Sequence, residues 1–429
     1  VKVDADSSKD IATYTNAVSL TGGYVAVAAS AAVDVIKEHS TTIARISDTD
    51  IDKAKDVTLK ANNENILKHE FAQGGLAIGL GGSVGASVGV NNFRNTVKTE
   101  LLNSNIGSKT ISVDSFTDLA KNIITDEFTN VNVNGGLGAI GVGVGVNTVD
   151  TGALTNIEWT NVYAKSIDVK AEEERNITEK SVGASIGAGA INTSVMINNI
   201  GTALQDVYTE PENPNAEYRI QGIKDKVTEG FKDVNDNNTA LSEQGFTKGV
   251  VSKGEEYSFD MGGEGDGVKT NRKGSKLSAT GTAENEGLSI KSHAKTETNV
   301  TVGEGAAAIG KIGVTVAKAN IASQTGVNIS GGTYQGQNVK IESLTDGKIT
   351  QKAVSGNIGG GFINVAVDTV TKTGDNVITI DNANIKATKN YKDANNVQGQ
   401  LNIQALDQSK IENSSTNVTA RVAVIGALF

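Results

Sequence analysis

The stretch GGLGAIGVGVGVN, residues 135–147, alternates glycine with valine and decides the fold class. Side chains of an extended strand point to opposite sides in alternation, so the glycines share one side and the valines share the other. A helix would scatter both sets around its surface. The stretch therefore predicts a strand whose glycine side allows close stacking on a neighbouring copy, while its valine side fills a thin core.

A short pattern, apolar-x-apolar-x-small, recurs along the whole chain. It occurs as VKVDA (1–5), VTLKA (57–61), ISVDS (111–115), IDVKA (167–171), LSIKS (288–292), VKIES (339–343) and LNIQA (401–405). The starts lie 56, 54, 56, 121, 51 and 62 residues apart, so the fourth interval contains an insertion. A unit of about 55 residues cannot bury its apolar side alone, which predicts stacked units.

Composition supports an all-β chain with many turns. Glycine is high at 49 residues, proline is 2 and aromatic residues are 4%, while Val, Ile, Thr, Asn and Ser recur between turn formers. The formal net charge of -10 leaves no basic stripe to neutralise phosphates. Nucleic acid and anionic lipid headgroups are therefore poor partners, and electrostatic binding of DNA is excluded.

The absence of cysteine removes disulfides and thiolate metal sites, and it suits a protein that crosses a cell envelope unfolded. The chain has no signal peptide at Val1 and no apolar run long enough to span a membrane as a helix. We expect a fragment of a larger secreted or surface-displayed protein, whose export signal lies outside it.

Three segments divide the chain. Residues 1–206 and 288–429 carry the repeats of a β-solenoid, the second segment being truncated at the C-terminus. Residues 207–287 are a polar insertion with both prolines, for which helical spacing predicts a short helix at 216–231 followed by a flexible loop. The same spacing predicts another small helix at 116–128.

Glycine-rich strands also generate catalytic patterns that lack the context their chemistry needs. GLGAIG at 136–141 matches a dinucleotide-binding loop, but the strand period continues where a helix must begin. The sequences around Ser83 and Ser185 match a nucleophile elbow, which needs a strand-turn-helix and a histidine partner. Two such matches in equivalent strands point to solenoid serines.

Candidate metal sites are equally incomplete. Asp48, Asp50 and Asp52 share one side of a strand, as calcium ligands or paired catalytic carboxylates could, but other units lack acids there. Residues 233–244 resemble an EF-hand loop without its glycine and final glutamate, and GGEGD at 262–266 occurs once where calcium repeats must stack. We predict no catalytic, cofactor-binding or metal-binding residue.

The ends of the units carry a family resemblance. They read LLNSNIGSKTISVDS (101–115), EWTNVYAKSIDVKAE (158–172) and ITIDNANIKATKN (378–390). These resemble the coils of filamentous-haemagglutinin-type proteins, which implies a right-handed parallel β-helix exported by two-partner secretion through an outer-membrane partner. The longer unit is similar to leukotoxin-type filamentous adhesins of fusobacteria.

The resulting expectation is a monomeric, non-enzymatic fragment of an adhesin or leukotoxin that binds a receptor or glycan on host cells, with cytotoxicity implied by the leukotoxin likeness. Binding is expected in the insertion 207–287.

Two alternatives to this function stay open. A polysaccharide-degrading β-helix enzyme would need an acidic and aromatic groove, for which the chain offers one tryptophan, Trp159, and scattered acids. An inert spacer would bind nothing. Membrane insertion of the 135–147 strand would need a polar lumen side that these glycines do not provide.

Overall fold

Parallel β-strands make up all regular structure that the computed structural model describes. It describes residues 1–23, 28–52, 54–78, 82–107, 113–134, 138–200, 266–281, 286–374, 376–387 and 399–421. No helix forms within these ranges. Strands about one unit apart pair in parallel register, as Lys2 with Thr58 and Ser166 with Val113. The all-β prediction and the stacking of repeats are confirmed, in agreement with the β-helix class.

Each coil has three sides. The first side contains β1 (Lys2–Gly22), β4 (Thr58–Ile78), β7 (Val113–Asn134), the first parts of β10 (Ser166–Ile200), β13 (Leu288–Ser330) and β15 (Asn338–Thr373), and β18 (Gln400–Asp407) and β19 (Lys410–Arg421). The second side contains β2 (Ala28–Ser47), β5 (Gly82–Leu102), β8 (Gly138–Glu158), the second parts of β10, β13 and β15, and β11 (Asp266–Lys273) and β16 (Asn376–Asp381). The short third side contains β3 (Asp50–Asp52), β6 (Asn105–Gly107), β9 (Asn161–Ala164), β12 (Lys276–Ala279), β14 (Thr333–Gly336) and β17 (Asn384–Ala387).

The two long sides meet at a bend that we call the apex. Strands β10, β13 and β15 run through it without a break, but their ladder pairing skips Ala188, Ile309 and Gly360. These residues mark the bend. The two long sides consequently belong to one continuous sheet, and the third side forms a separate small sheet.

The core changes character from the third side to the apex. Near the third side, a large cluster holds small and branched residues such as Leu59, Val97 and Ile157. Midway, ladders of Leu67 and Ile124 from the first side pack against Phe93 and Val149 from the second. Toward the apex many interior positions are glycine, serine or alanine, and Phe71, Met196 and Val302 belong to a further small cluster.

The orientation predicted for the glycine–valine stretch is wrong. Gly141, Gly143 and Gly145 are buried inside the coil, whereas the valines between them point outward and are half-buried. Close approach of the two long sides explains this: a Cβ added at Gly313 would overlap the Glu304 carboxylate, which reaches across from the first side. Interior space is limited here, so in this coil the glycines take the inner side and the valines the outer side, although Met196 occupies the position of Gly145 in the next coil.

The small helix predicted at 116–128 is also wrong, because those residues lie in strand β7. Phe116 pairs with Leu59 on one side and Val169 on the other, and Ile124 pairs with Leu67 and Ile177 in the same way. Pairing along both edges provides backbone hydrogen bonds over the full strand, which overrides a local helical spacing. The helix predicted at 216–231 lies outside the described residues.

The insertion ends before residue 266, earlier than the predicted boundary at 287. Strand β11 pairs with β8 and β13, and β12 pairs with β9 and β14, so both belong to the solenoid. Ile200 pairs with Ile321 and Asp266 pairs with Ser323, which leaves one residue, Ala322, between them on the neighbouring coil. Residues 201–265 therefore occupy the place of a single residue in the ladder.

Replacement of residues 201–265 by one alanine is expected to leave the solenoid intact. The exchange shortens the interval between starts from 121 to 57 residues, within the range of 51 to 62 found elsewhere. The thermal unfolding midpoint, measured by circular dichroism, should stay within about 4 °C of the parent. Deletion of 208–286, which also removes β11 and β12, is the matched control and should lower it much further. A comparable drop for both deletions would show that 201–265 braces the fold.

Candidate functional site

The serine motifs lie inside the coil. Ser83 and Ser185 are both fully buried, at 0% exposure, and their strands continue on either side. Gly138–Gly141, the described part of the dinucleotide-like motif, likewise lies within β8. A substrate cannot reach these side chains, and neither motif has the turn and helix that its chemistry needs.

The aspartates at 48–52 begin polar ladders along the third side. Asn103 Nδ2 donates to Asp48 Oδ1 at 2.6 Å, and Asn105 Nδ2 donates to Asp50 Oδ1 at 2.7 Å. The second ladder continues with Asn161 Nδ2 donating to Asn105 Oδ1 at 2.8 Å. The carboxylates of Asp48 and Asp50 thus each accept a hydrogen bond from the next coil, whereas Asp52 lies beside Gly107.

No group of three His, Asp or Glu side chains close enough to hold a metal occurs in the described ranges. The EF-hand-like segment 233–244 lies outside those ranges, as do the first four residues of GGEGD, and Asp266 opens strand β11. The binding predicted for 207–287 falls mostly on residues that the structure does not describe.

Trp159 lies at the turn between the second and third sides with a left-handed backbone, at φ 51°. A Cβ added at Gly274, the equivalent turn residue of the next coil, would overlap the indole ring. Glycine at 274 therefore makes room for the ring, which stays 59% exposed. This places one aromatic surface at the edge of the polar ladders.

The largest distinctive surface lies on the second side next to the apex, and we call it the valine face. It comprises three outward positions on each of five successive coils: Val84, Ala86 and Val88; Ile140, Val142 and Val144; Ile191, Thr193 and Val195; Ile312, Val314 and Val316; and Ile363, Val365 and Val367. The outermost ladder is in direct register, Val84 with Ile140, Ile140 with Ile191, Ile191 with Ile312, and Ile312 with Ile363. Only Thr193 among the fifteen carries a polar group.

Exposure on the valine face is high for apolar side chains. Ile140 is 37% exposed, Ile191 40% and Ile312 44%, although each has neighbours on both sides. At about 4.8 Å between strands and about 6.7 Å between alternate residues, the face covers roughly 450 Å². No residue of the face is charged, and the first cation next to it is Lys318. Apolar patches of this size are often functional contact surfaces.

A buried polar cluster lies in the interior at the same apex. Lys311 Nζ lies 3.1 Å from Glu304 Oε1, and the two side chains are 1% and 0% exposed. Ser355 Oγ donates to Glu304 Oε1, and Lys311 Nζ donates to Asn357 Oδ1. Burial lowers the pKa of Lys311, against the opposing effect of Glu304. The cluster places two charged side chains inside the coil near the apex.

In comparisons with known proteins, no protein-family model, curated protein or solved structure matches this chain. In the part of the chain that the structure describes, no helix is long and apolar enough to cross a bilayer. The valine face was missed from the sequence because its residues were assigned to the core. Val149 indicates the correct orientation. It is a core residue an even number of positions from Gly141, Gly143 and Gly145, so in an extended strand its side points the same way as theirs.

Proposed function

We propose that this chain is part of a secreted or surface-displayed bacterial adhesin that binds host cells with the outer surface of a right-handed parallel β-helix. The observation that carries the proposal is the valine face. At about 450 Å² of uncharged, mostly branched side chains, the face is in the range of the largest apolar patches on monomers, which are often functional. The face is therefore the part of the described surface most suited to a partner.

The scaffold suits adhesion in two ways. Parallel pairing holds the five coils in fixed register, so the face is pre-organised and loses little conformational entropy on binding. Its β-branched side chains have restricted χ1 rotamers, so they also lose little rotamer freedom on binding. The net charge of -10 disfavours an anionic lipid surface as the partner. We infer a host-cell protein with an uncharged apolar patch.

The sequence supports the cellular setting. The coils resemble those of filamentous-haemagglutinin-type proteins, and the cysteine-free composition suits two-partner secretion through an outer-membrane partner. The leukotoxin likeness of the longer unit extends the proposal to toxicity that follows binding. A polysaccharide-degrading enzyme is less well supported, since Asp48 and Asp50 accept hydrogen bonds from asparagines of the next coil.

Substitution of Val144, Val195 and Val316 together by threonine tests the proposal. These residues form one ladder through three adjacent coils, and threonine keeps their shape and β propensity while adding a hydroxyl. We expect binding of the labelled protein to leukocytes or epithelial cells, measured by flow cytometry, to weaken at least about tenfold, which corresponds to about 1.4 kcal/mol.

The matched control makes the same change on the first side, at Val131, Val182 and Val354, which are 41%, 39% and 38% exposed. This variant should bind like the parent. Equal binding by all three proteins would move recognition away from the valine face, with the segment 201–265 as the next candidate. Failure of the parent to bind any host cell would overturn the proposal and favour a spacer.

A further inference from the structure

Three side chains with complementary chemistry meet inside the apex. Glu304 comes from the first side of β13, Lys311 from the second side of the same strand, and Asn357 from the first side of β15 in the next coil. The Lys311 ammonium donates to Asn357 Oδ1 and lies 3.1 Å from Glu304 Oε1. The Lys311 amine therefore contacts both a carboxamide and a carboxylate.

The three groups are shielded from water. Glu304 and Lys311 are 5% exposed as residues and Asn357 is 4% exposed. Two of their polar atoms, Asn357 Nδ2 and Glu304 Oε2, are buried and have no hydrogen-bond partner. Burial of an ion pair and of unpaired polar atoms is unfavourable, so the cluster is poorly explained by stability alone in this unreacted form.

We propose that Lys311 and Asn357 join in an intramolecular isopeptide bond, with Glu304 transferring the protons. The Lys311 ammonium first gives one proton to the Glu304 carboxylate, which leaves a neutral amine. The amine attacks the Asn357 side-chain carbonyl carbon, and a new C–N bond forms. The bond from that carbon to Nδ2 then breaks, and Nδ2 leaves as an ammonium ion after taking one proton from Nζ and one from Glu304.

Atoms and charge balance without any oxidant or added reactant. One ammonium group and one carboxamide give one secondary amide and one ammonium ion, and Glu304 returns to its carboxylate form. The apex supplies what this reaction needs. A lysine amine becomes a nucleophile when it is desolvated, and a neighbouring carboxyl group of matched basicity can carry its protons. Contact in the folded state replaces a bimolecular encounter.

The route for the product is also present. Lys311 lines a cleft of about 370 Å³ at the apex together with Ala190 and Ile312, so released ammonia can reach solvent. The preceding coil has Gly183 and Ala190 at the positions of Glu304 and Lys311, and Ala306 at the position of Asn357. Of the coils compared, the set of Glu304, Lys311 and Asn357 therefore occurs at the junction of β13 and β15. The bond would link these two successive coils, and it would also link the second side of β13 to the first side of β15.

Mass spectrometry of the purified full chain tests the proposal. The intact protein should be lighter than its sequence by one ammonia, and protease digestion should yield one branched peptide containing Lys311 and Asn357. Lys311→Arg cannot form the bond but keeps the positive charge, and Glu304→Gln removes the proton carrier. Both variants should have the full mass, with folding checked by circular dichroism.

One other reaction also loses ammonia, namely succinimide formation at Asn134–Gly135. The mass loss must therefore persist in Asn134→Gln, and the branched peptide must be found. A parent protein that keeps its full mass after prolonged incubation in the folded state would overturn the proposal, even if the variants fail to fold. A mass loss that remains in folded Lys311→Arg would overturn it as well.

Discussion

Gly332→Ala is expected to destabilise the protein by about 3 kcal/mol or more. Gly332 precedes β14 with φ +85°, a conformation that side-chain-bearing residues rarely adopt. An added Cβ would overlap the Ser275 carbonyl oxygen of the preceding coil and lie 2.9 Å from Ser275 N. That oxygen accepts a hydrogen bond from Thr333 N at 2.9 Å, so the backbone cannot move aside without losing the pairing.

Gly331→Asn is the matched control, one residue earlier. Gly331 has φ +61°, but the nearest atom to an added Cβ is 3.8 Å away. Asp48, Asn103, Trp159 and Asn382 have the same left-handed backbone at the equivalent turn of other coils. Asparagine tolerates this conformation, so the free energy of unfolding should change by less than about 1 kcal/mol.

Urea unfolding followed by circular dichroism measures both variants. A large loss for Gly332→Ala with little change for Gly331→Asn would establish that contact between coils, rather than backbone conformation alone, demands glycine at the third-side turn. Similar losses for the two variants would contradict this account, as would a neutral Gly332→Ala.

The repeat predicted the fold because it encodes two periods at once. A spacing of two within VTLKA or IDVKA identifies strands, and a spacing of about 55 residues identifies which strands stack. Both are local properties of the chain, and the pairing of Val3 with Leu59 and Val169 with Ile290 follows from them directly. No knowledge of distant contacts was needed.

Which side of a strand faces inward depended on more than hydrophobicity. In β8 the valines were assigned to the core because they are apolar, yet the structure places the glycines inside and the valines outside. Continuing the alternation gives the right answer: Asn147 and Val149 share the parity of the glycines, while polar Thr148 and Asp150 share that of the valines. The core residue Val149 fixes the inward side of the whole strand.

Other features needed three-dimensional information. Strand β11, DGVKTNRK, has no apolar alternation and is recognisable only by its pairing with β8 and β13. Glu304 and Lys311 are seven positions apart, and Asn357 follows 46 residues after Lys311. Their contact depends on where the apex bends, which a strand period alone does not reveal.

A second large effect is expected from Arg175→Met. Arg175 and Glu173 form an ion pair on the first side of β10, and both side chains are 0% exposed. Arg175 Nε also donates to Thr151 Oγ1 at 3.1 Å across the interior. Methionine preserves much of the volume but removes the charge, so the Glu173 carboxylate stays buried without its cation. We expect a loss of about 3 to 5 kcal/mol.

The double variant Arg175→Met with Glu173→Leu separates the buried charge from the lost packing. Removing both partners also removes the uncompensated carboxylate, and an apolar replacement of a buried pair is often neutral. The double variant should therefore be more stable than Arg175→Met alone, which gives a coupling energy above about 2 kcal/mol in a double-mutant cycle. Urea unfolding of the parent, both single variants and the double variant provides the four free energies. Additive losses would mean that Arg175 stabilises the coil through its packing and its contact with Thr151, and that the ion pair contributes little.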